Sequence, residues 1–218
     1  MTSTATPAPA SLPWYHRHAW RRRLSYGQDA ALVILTSVFV WVHLQAVLGG
    51  SLKNLPFVAE QLVLVALFLT RRRPRAVTTR PFDWGAAAIG GWLPLAYQIE
   101  AAAPTAERIG TTVQAVGVSA AACCILYLGR SFGVVAADRG LKTSGPYRIV
   151  RHPIYAAHLV TGLGFLVANA SALNALLFSA VVAGQILRIR AEERLLLATA
   201  DYAAYADRVR WRLVPFVY

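Results

Sequence analysis

An all-α membrane helix bundle is the architecture this chain predicts, on three observations. Hydrophobic residues fill 56% of its 218 positions, only 15% are charged, and mean hydropathy is +0.45. The apolar residues gather in long runs, and the basic residues sit in short runs between them, as on the flanks of membrane-crossing helices. A soluble domain of this length carries more charge. The length suits one domain of several helices. The expected fold is a polytopic bundle of four long transmembrane helices plus a C-terminal helical hairpin, followed by a cytoplasmic C-terminal helix.

Taken in order, residues 1–13 hold only Ser, Thr, Ala, Pro and Leu after Met1 and read as a disordered lead-in. His16, Arg17, His18 and Arg21, Arg22, Arg23 form a basic flank. The apolar run at 30–50 follows, long enough to span and too long for a signal-peptide core, so it reads as a retained anchor. A second run covers 55–70 and ends on Arg71, Arg72, Arg73 and Arg75. A third, after Pro81, covers 84–102, and a fourth covers 109–129. These four helices and their flank make a unit over 14–129; residues 130–218 form the expected cofactor-binding catalytic region. That region opens with a polar, Gly-rich loop to Pro153. Apolar stretches at 154–168 and 173–187 then flank the turn Asn169-Ala170-Ser171, where Asn169 and Asn174 serve the turn. The tail from 188 to 211 reads as one helix, because Ile189, Leu196, Tyr202 and Tyr205 recur near helical spacing.

If every run crosses, the arginine-rich segments fall on one side and only Lys53 and Arg108 on the other. Both termini are then cytoplasmic, as expected for a bacterial inner-membrane protein. The last two stretches are short: about fifteen residues of helix cover roughly 22 Å against a hydrocarbon core of roughly 30 Å. A short hairpin returns the chain to the face it left, so residues 145–155 and 188–193 end together.

The formal net charge of +12 reads as topology and anionic-lipid contact. Nucleic acid is not an expected partner, since that requires a basic face on a soluble reader. Cys123 and Cys124 are adjacent in an apolar run and give neither a disulfide framework nor a metal site.

The chemistry concentrates in Gly145-Pro146-Tyr147-Arg148 and Arg151-His152-Pro153-Ile154-Tyr155. Pro153 fits the first turn of a helix and pushes His152 toward extended backbone. His152 then sits at a helix N-terminus, where free N–H groups and the dipole favour an anion. Arg151 adds a forked cation. Tyr147 and Tyr155 are amphipathic rings at interface depth, able to cover an adenine or ribose, or simply to anchor at the interface. Forty residues on stand Arg188, Glu192 and Glu193. Adjacent side chains on a helix diverge by about 100°, so one Glu can face a pocket while its neighbour pairs outward. The bland alternative is a ladder of surface ion pairs among Arg188, Arg190 and the two glutamates. Anion-binding groups on one segment and carboxylates on the other fit a zwitterion.

These motifs resemble the isoprenylcysteine carboxyl methyltransferase and phospholipid methyltransferase family of integral membrane enzymes. The resemblance covers roughly the last ninety residues, from Leu128-Gly129-Arg130-Ser131-Phe132-Gly133 through both motifs above to Tyr202, Tyr205, Val209 and Pro215-Phe216. It implies S-adenosylmethionine as cofactor, held by Tyr147, Arg151, His152, Tyr155, Glu192 and Glu193. It implies that Arg188 orients the carboxylate of a lipidic or prenylated acceptor. Arg190 and Ala191 stand where several relatives are acidic, which leaves acceptor identity open. Carboxyl O-methylation is the reading the residues favour, because a carboxylate needs no general base. Phospholipid (ethanolamine) N-methylation is the alternative, and a sterol-reductase-like NADPH enzyme a more distant one. Oligomeric state is not legible.

Other polar residues interrupt the apolar runs. Glu60 is expected to pair with His43, and His158 to line the pocket wall. A lipid tail is expected to enter along small residues around Ala156, Ala157, Gly162 and Gly164.

Overall fold

Backbone polar groups find no water in lipid, so a spanning chain satisfies them within its own helices. The computed structural model describes residues 19–74 and 76–218, with side chains from residue 29 onward. The expected lead-in at 1–13, the residues His16, Arg17 and His18, and Arg75 lie outside the described residues, as do the side chains of Arg21, Arg22 and Arg23. Among the described residues seven α-helices follow in order: α1 (Ala19–Leu48), α2 (Leu55–Thr70), α3 (Pro81–Trp92), α4 (Pro104–Leu128), α5 (Pro153–Ala168), α6 (Ala172–Leu196) and α7 (Ala200–Arg208). A two-residue antiparallel ladder, β1 (Ala76–Val77) with β2 (Ala137–Asp138), clips two loops together.

Among the described residues, four helices are long and apolar enough to cross a membrane, so the chain reads as an integral membrane protein. They are α1, α2, α4 and α6, which is not the expected set. The third apolar stretch forms only the twelve-residue α3, which passes into a short 3-10 turn around Pro94. Proline removes a helical donor and clashes with the preceding turn, so the apolar run outlasts the helix. The sixth stretch instead continues through its charged end, giving α6 twenty-five residues, about 37 Å. The tail is therefore not one helix: α6 ends at Leu196, α7 is separate, and residues after Val209 are non-helical. Outward faces carry large apolar side chains such as Ile34, Trp41, Leu62, Val116 and Leu176.

Side-chain and backbone bonds sort the bundle into two ends. At one end Lys53 pairs with Glu107 at 3.1 Å, joining the α1–α2 connection to the start of α4. There too, Asn174 brackets the Gln98 backbone, accepting from its N–H at 2.9 Å and donating to its C=O at 2.9 Å, while Asn169 accepts from Glu100 N at 3.1 Å. The two asparagines thus tie the α5–α6 turn to the α3–α4 connection. At the other end Arg130 donates to the Thr70 carbonyl and the Arg72 N–H to the Arg130 carbonyl.

Helices α4 and α5 pack closely through small residues. A Cβ at Gly110 would lie 2.5 Å from the Gly164 carbonyl oxygen, and one at Gly117 2.6 Å from the Thr161 nitrogen. Ala157 and Gly164 are therefore consumed by helix packing, and Gly162 lies against Phe178. Two of the four small residues expected to admit a lipid tail are thus taken up by the close helix approach such residues permit.

Candidate active site

Pro153 starts α5 and leaves His152 as its N-cap, with φ −127° and ψ 58°. The backbone N–H groups of Arg151 and His152 are already taken, by the carbonyls of Trp211 at 2.9 Å and Arg212 at 2.8 Å. The C-terminal tail thus runs alongside residues 151–152 and takes up both groups.

The side chains converge. His152 Nε2 lies 3.4 Å from Glu193 Oε1, and His152 Nδ1 lies 3.6 Å from Glu192 Oε2. Arg151 Nε sits 2.8 Å from the same Glu193 oxygen, close but not aligned to donate a hydrogen bond. Arg212 Nε donates to Glu193 Oε2 at 2.6 Å. Tyr155 donates its hydroxyl to Glu192 Oε1. Both glutamates therefore face His152, and neither turns away to pair outward with Arg188 or Arg190. His152 and Glu193 are in contact, so a bound molecule would lie against this cluster rather than between those two groups.

Arg188, one turn before Glu192, forms no ladder with the glutamates. It donates to Gln185 Oε1 at 3.0 Å and to the Val134 carbonyl at 2.8 Å, and its guanidinium lies 4.8 Å from the centre of the Tyr155 ring. Gly90 on α3 makes room for it, since a Cβ there would fall 2.8 Å from Arg188 Cδ. Arg190 is exposed. Tyr147 stands apart from the other residues named from the sequence. Its ring is buried with Cys124, Ile125 and Phe132, its hydroxyl points to the Cys124 carbonyl at 3.5 Å, and its own carbonyl accepts from Tyr205 at 2.7 Å. It supports the site from beneath.

Two contributors to the site, Arg212 and Tyr202, were not assigned to it from the sequence, and one expected pair proved wrong. Arg212 closes the cluster, but nothing distinguishes it from Arg208 and Arg210 in a basic tail. The hydroxyl of Tyr202 is buried without a hydrogen-bond partner among the described residues. Glu60 pairs not with His43 but with His158, at 3.0 Å, tying α2 to α5. His43 instead bonds Asn54 at 2.9 Å and stacks on Phe57.

The electrostatics follow from burial and these partners. Burial alone would push the His152 imidazole below its ordinary pKa, but hydrogen bonds to Glu192 and Glu193, together with their charges, outweigh it and raise the pKa. Burial, then the nearby carboxylate of Glu193, keeps the Tyr202 phenol protonated well above the usual range. The hydrogen bond to Glu193 raises the Arg212 guanidinium further.

Comparison with known proteins agrees with this geometry on one count. No curated protein matches the chain. Residues 111–198, the segment that holds Arg151–Tyr155 and Arg188–Glu193, match the model of the isoprenylcysteine carboxyl methyltransferase (ICMT) family, so this part of the chain is similar to that family.

Proposed function

We propose that the chain is an S-adenosylmethionine-dependent methyltransferase of the inner membrane that esterifies the carboxylate of a lipidic acceptor, with both termini cytoplasmic. The family domain implies methyl transfer in general terms. One observation carries the finer reading: a closed cluster around His152 in which Arg151, Arg188 and Arg212 outnumber Glu192 and Glu193, three cations to two anions. A cationic excess suits an acceptor carboxylate and opposes an acceptor amine, which would arrive as an ammonium ion. That supports O-methylation over phospholipid N-methylation.

The residues fit the cofactor by donor set and by unmet hydrogen-bond demand. Its amino-acid end is a zwitterion, and both signs of charge are present within a few ångströms. Buried Tyr202 Oη, Arg151 Nε and Arg188 Nε have no hydrogen-bond partner among the described residues. Groups so placed are costly unless a ligand engages them. Arg151, His152, Tyr155, Glu192 and Glu193 would hold the cofactor, with Tyr147 supporting them. S-adenosylmethionine, when bound, supplies an electrophilic methyl group. Arg188, fixed by Gln185, Val134 and the Tyr155 ring, orients the acceptor carboxylate by a forked guanidinium contact. No proton has to leave a carboxylate, so alignment and removal of water carry the rate.

Calorimetry on the purified protein in detergent tests this, using S-adenosylmethionine, its demethylated product and NADPH. Micromolar binding of the first two is expected, and binding of NADPH alone overturns the reading. Turnover of lipid extracts with a labelled methyl donor then identifies the acceptor, with an alkali-labile ester as the expected product.

A further inference from the structure

A second group of arginines lies at the same end of the bundle, outside the cluster just described. Arg71 follows α2, with its side chain only 4% exposed. It pairs with Asp29 of α1 and its guanidinium lies 5.3 Å from the centre of the Phe68 ring. Arg139 follows β2. The β1–β2 ladder and the bond from Arg72 N to the Arg130 carbonyl draw its loop against the 71–78 segment. Ser131 Oγ donates to the Arg139 carbonyl at 3.1 Å, and the Arg139 guanidinium crosses so close to Gly133 that no Cβ fits there.

Two N–H groups in this pair are left over. Arg71 Nη1 and Arg139 Nε are both buried, and neither has a hydrogen-bond partner among the described residues. The two cations also act on each other. Burial first, and the charge of Arg139 second, pull Arg71 down to about 10. Like charges held close with unmet donors call for an anion: Asp29 pairs with Arg71, whereas among the described residues no carboxylate forms an ion pair with Arg139, on which Glu192 acts only at longer range. Buried polar groups without partners are rare enough that each points to something bound.

An apolar groove lies on α1 within a turn of Asp29, the partner of Arg71. It measures ≈ 220 Å³ and is lined by Leu32 and Leu35 of α1, Trp84, Ala88 and Trp92 of α3, and Val134 of the loop. Leu32 stands one turn beyond Asp29 and shares a packed cluster with Phe68, the ring beneath Arg71. The groove therefore runs from the charged end of the bundle along two helices into the apolar zone.

We infer that Arg71 and Arg139 form a phosphate subsite that takes the headgroup of an anionic phospholipid, one chain of which lies in the groove between α1 and α3. The shape and charge order are those of a lipid standing in the leaflet: a forked cationic pair at headgroup level, then Trp84 at the interface, then an apolar slot. Guanidinium forks match phosphate oxygens, and an anionic leaflet supplies them at high local concentration. Arg139 is also near enough to Glu192 to act on it electrostatically, and Val134 both lines the groove and accepts from Arg188. A lipid seated here braces the loop that holds Arg188. This site does not depend on the methyl-transfer reading.

Native mass spectrometry of the delipidated full chain in uncharged detergent tests it, with phosphatidylglycerol, phosphatidylcholine and inorganic phosphate as probes. One phosphatidylglycerol per chain is expected to bind in preference to phosphatidylcholine. Arg139→Gln is expected to weaken it about tenfold, the loss of one charge-assisted hydrogen bond. Arg139 makes no other side-chain bond among the described residues, so its unfolding midpoint without lipid should stay near wild type; Arg139→Lys should recover part of the affinity. Ala88→Trp, which fills the groove, should weaken the lipid but not inorganic phosphate. Equal binding of both lipids overturns the inference. So does phosphate competing fully while Ala88→Trp leaves phosphatidylglycerol unaffected, which would mean a free-anion site. Cofactor calorimetry on the same variants separates this result from that of the methyltransferase test.

Discussion

Removing Glu193 should be the most damaging single change in the active-site cluster. Its side chain is 6% exposed and faces three basic side chains: Arg151 at 2.8 Å, Arg212 at 2.6 Å and His152 at 3.4 Å. Glu193→Ala leaves Arg151, itself only 8% exposed, without a counter-ion. Stripping one partner from a buried pair costs about 3–5 kcal/mol. Arg212 adds little, because its side chain is 38% exposed and water screens it, so its share is below about 1 kcal/mol. Glu193→Gln keeps the volume and one acceptor and should cost about 2 kcal/mol. Arg212→Met should cost less than about 1 kcal/mol. Unfolding in mixed micelles with rising dodecyl sulfate, followed by tryptophan fluorescence, gives the order directly. The reasoning fails if Glu193→Ala costs under about 1 kcal/mol, or if Arg212→Met costs as much as Glu193→Ala. The same protein should lose measurable S-adenosylmethionine binding in the alanine variant.

Three further outcomes are expected. His152 has a folded-state pKa raised above the ordinary value of about 6.5, so the stability it contributes is fully present below that value and is lost as pH rises through the folded pKa. The unfolding midpoint should therefore fall as pH rises above about 6.5 in the wild type, and the slope should flatten in His152→Gln. His158→Ala strands the buried Glu60 carboxyl and should destabilise the bundle by about 1–3 kcal/mol, whereas Glu60→Gln, which keeps a hydrogen-bonding pair, should cost less in the same micelle titration. Gly90→Ala drives a Cβ to 2.8 Å from Arg188 Cδ and should displace that guanidinium, lowering kcat about 10- to 100-fold while calorimetric cofactor affinity stays near wild type.

Much of this was legible in the residues because membrane helices announce themselves by composition and a helical hairpin returns the chain to its starting face. That is why Arg151, His152, Glu192 and Glu193 were expected at one end, and they meet there. Helix extents were less legible. Hydropathy carried the third run past Pro94, where backbone chemistry stops the helix, and ended the sixth run at Leu187, although charged residues with partners continue it to Leu196. Pairings across distant segments were not legible. His43 lies nearer Glu60 in sequence, yet His158, 98 residues away, is its partner, because α5 packs on α4 beside α2. Arg212 reaches Glu193 only because the tail lies alongside residues 151–152, a contact that no period or spacing encodes.

That tail explains how two adjacent carboxylates can share one site. On a helix Glu192 and Glu193 diverge by about 100°, so no single-sided cation serves both. An imidazole has a nitrogen on either side of its ring, and His152 sets one toward each carboxylate, at 3.6 and 3.4 Å. This works only if the ring is held edge-on to α6. Pro153 fixes the chain on one side of His152, and the Arg212 carbonyl takes its N–H on the other. Tail and hairpin thus hold the ring jointly. Weakening the tail should loosen both glutamates together, so Arg212→Met and His152→Gln should show coupling in a double-mutant cycle, beyond the sum of their separate effects. Strict additivity would mean that the ring is held by α5 alone.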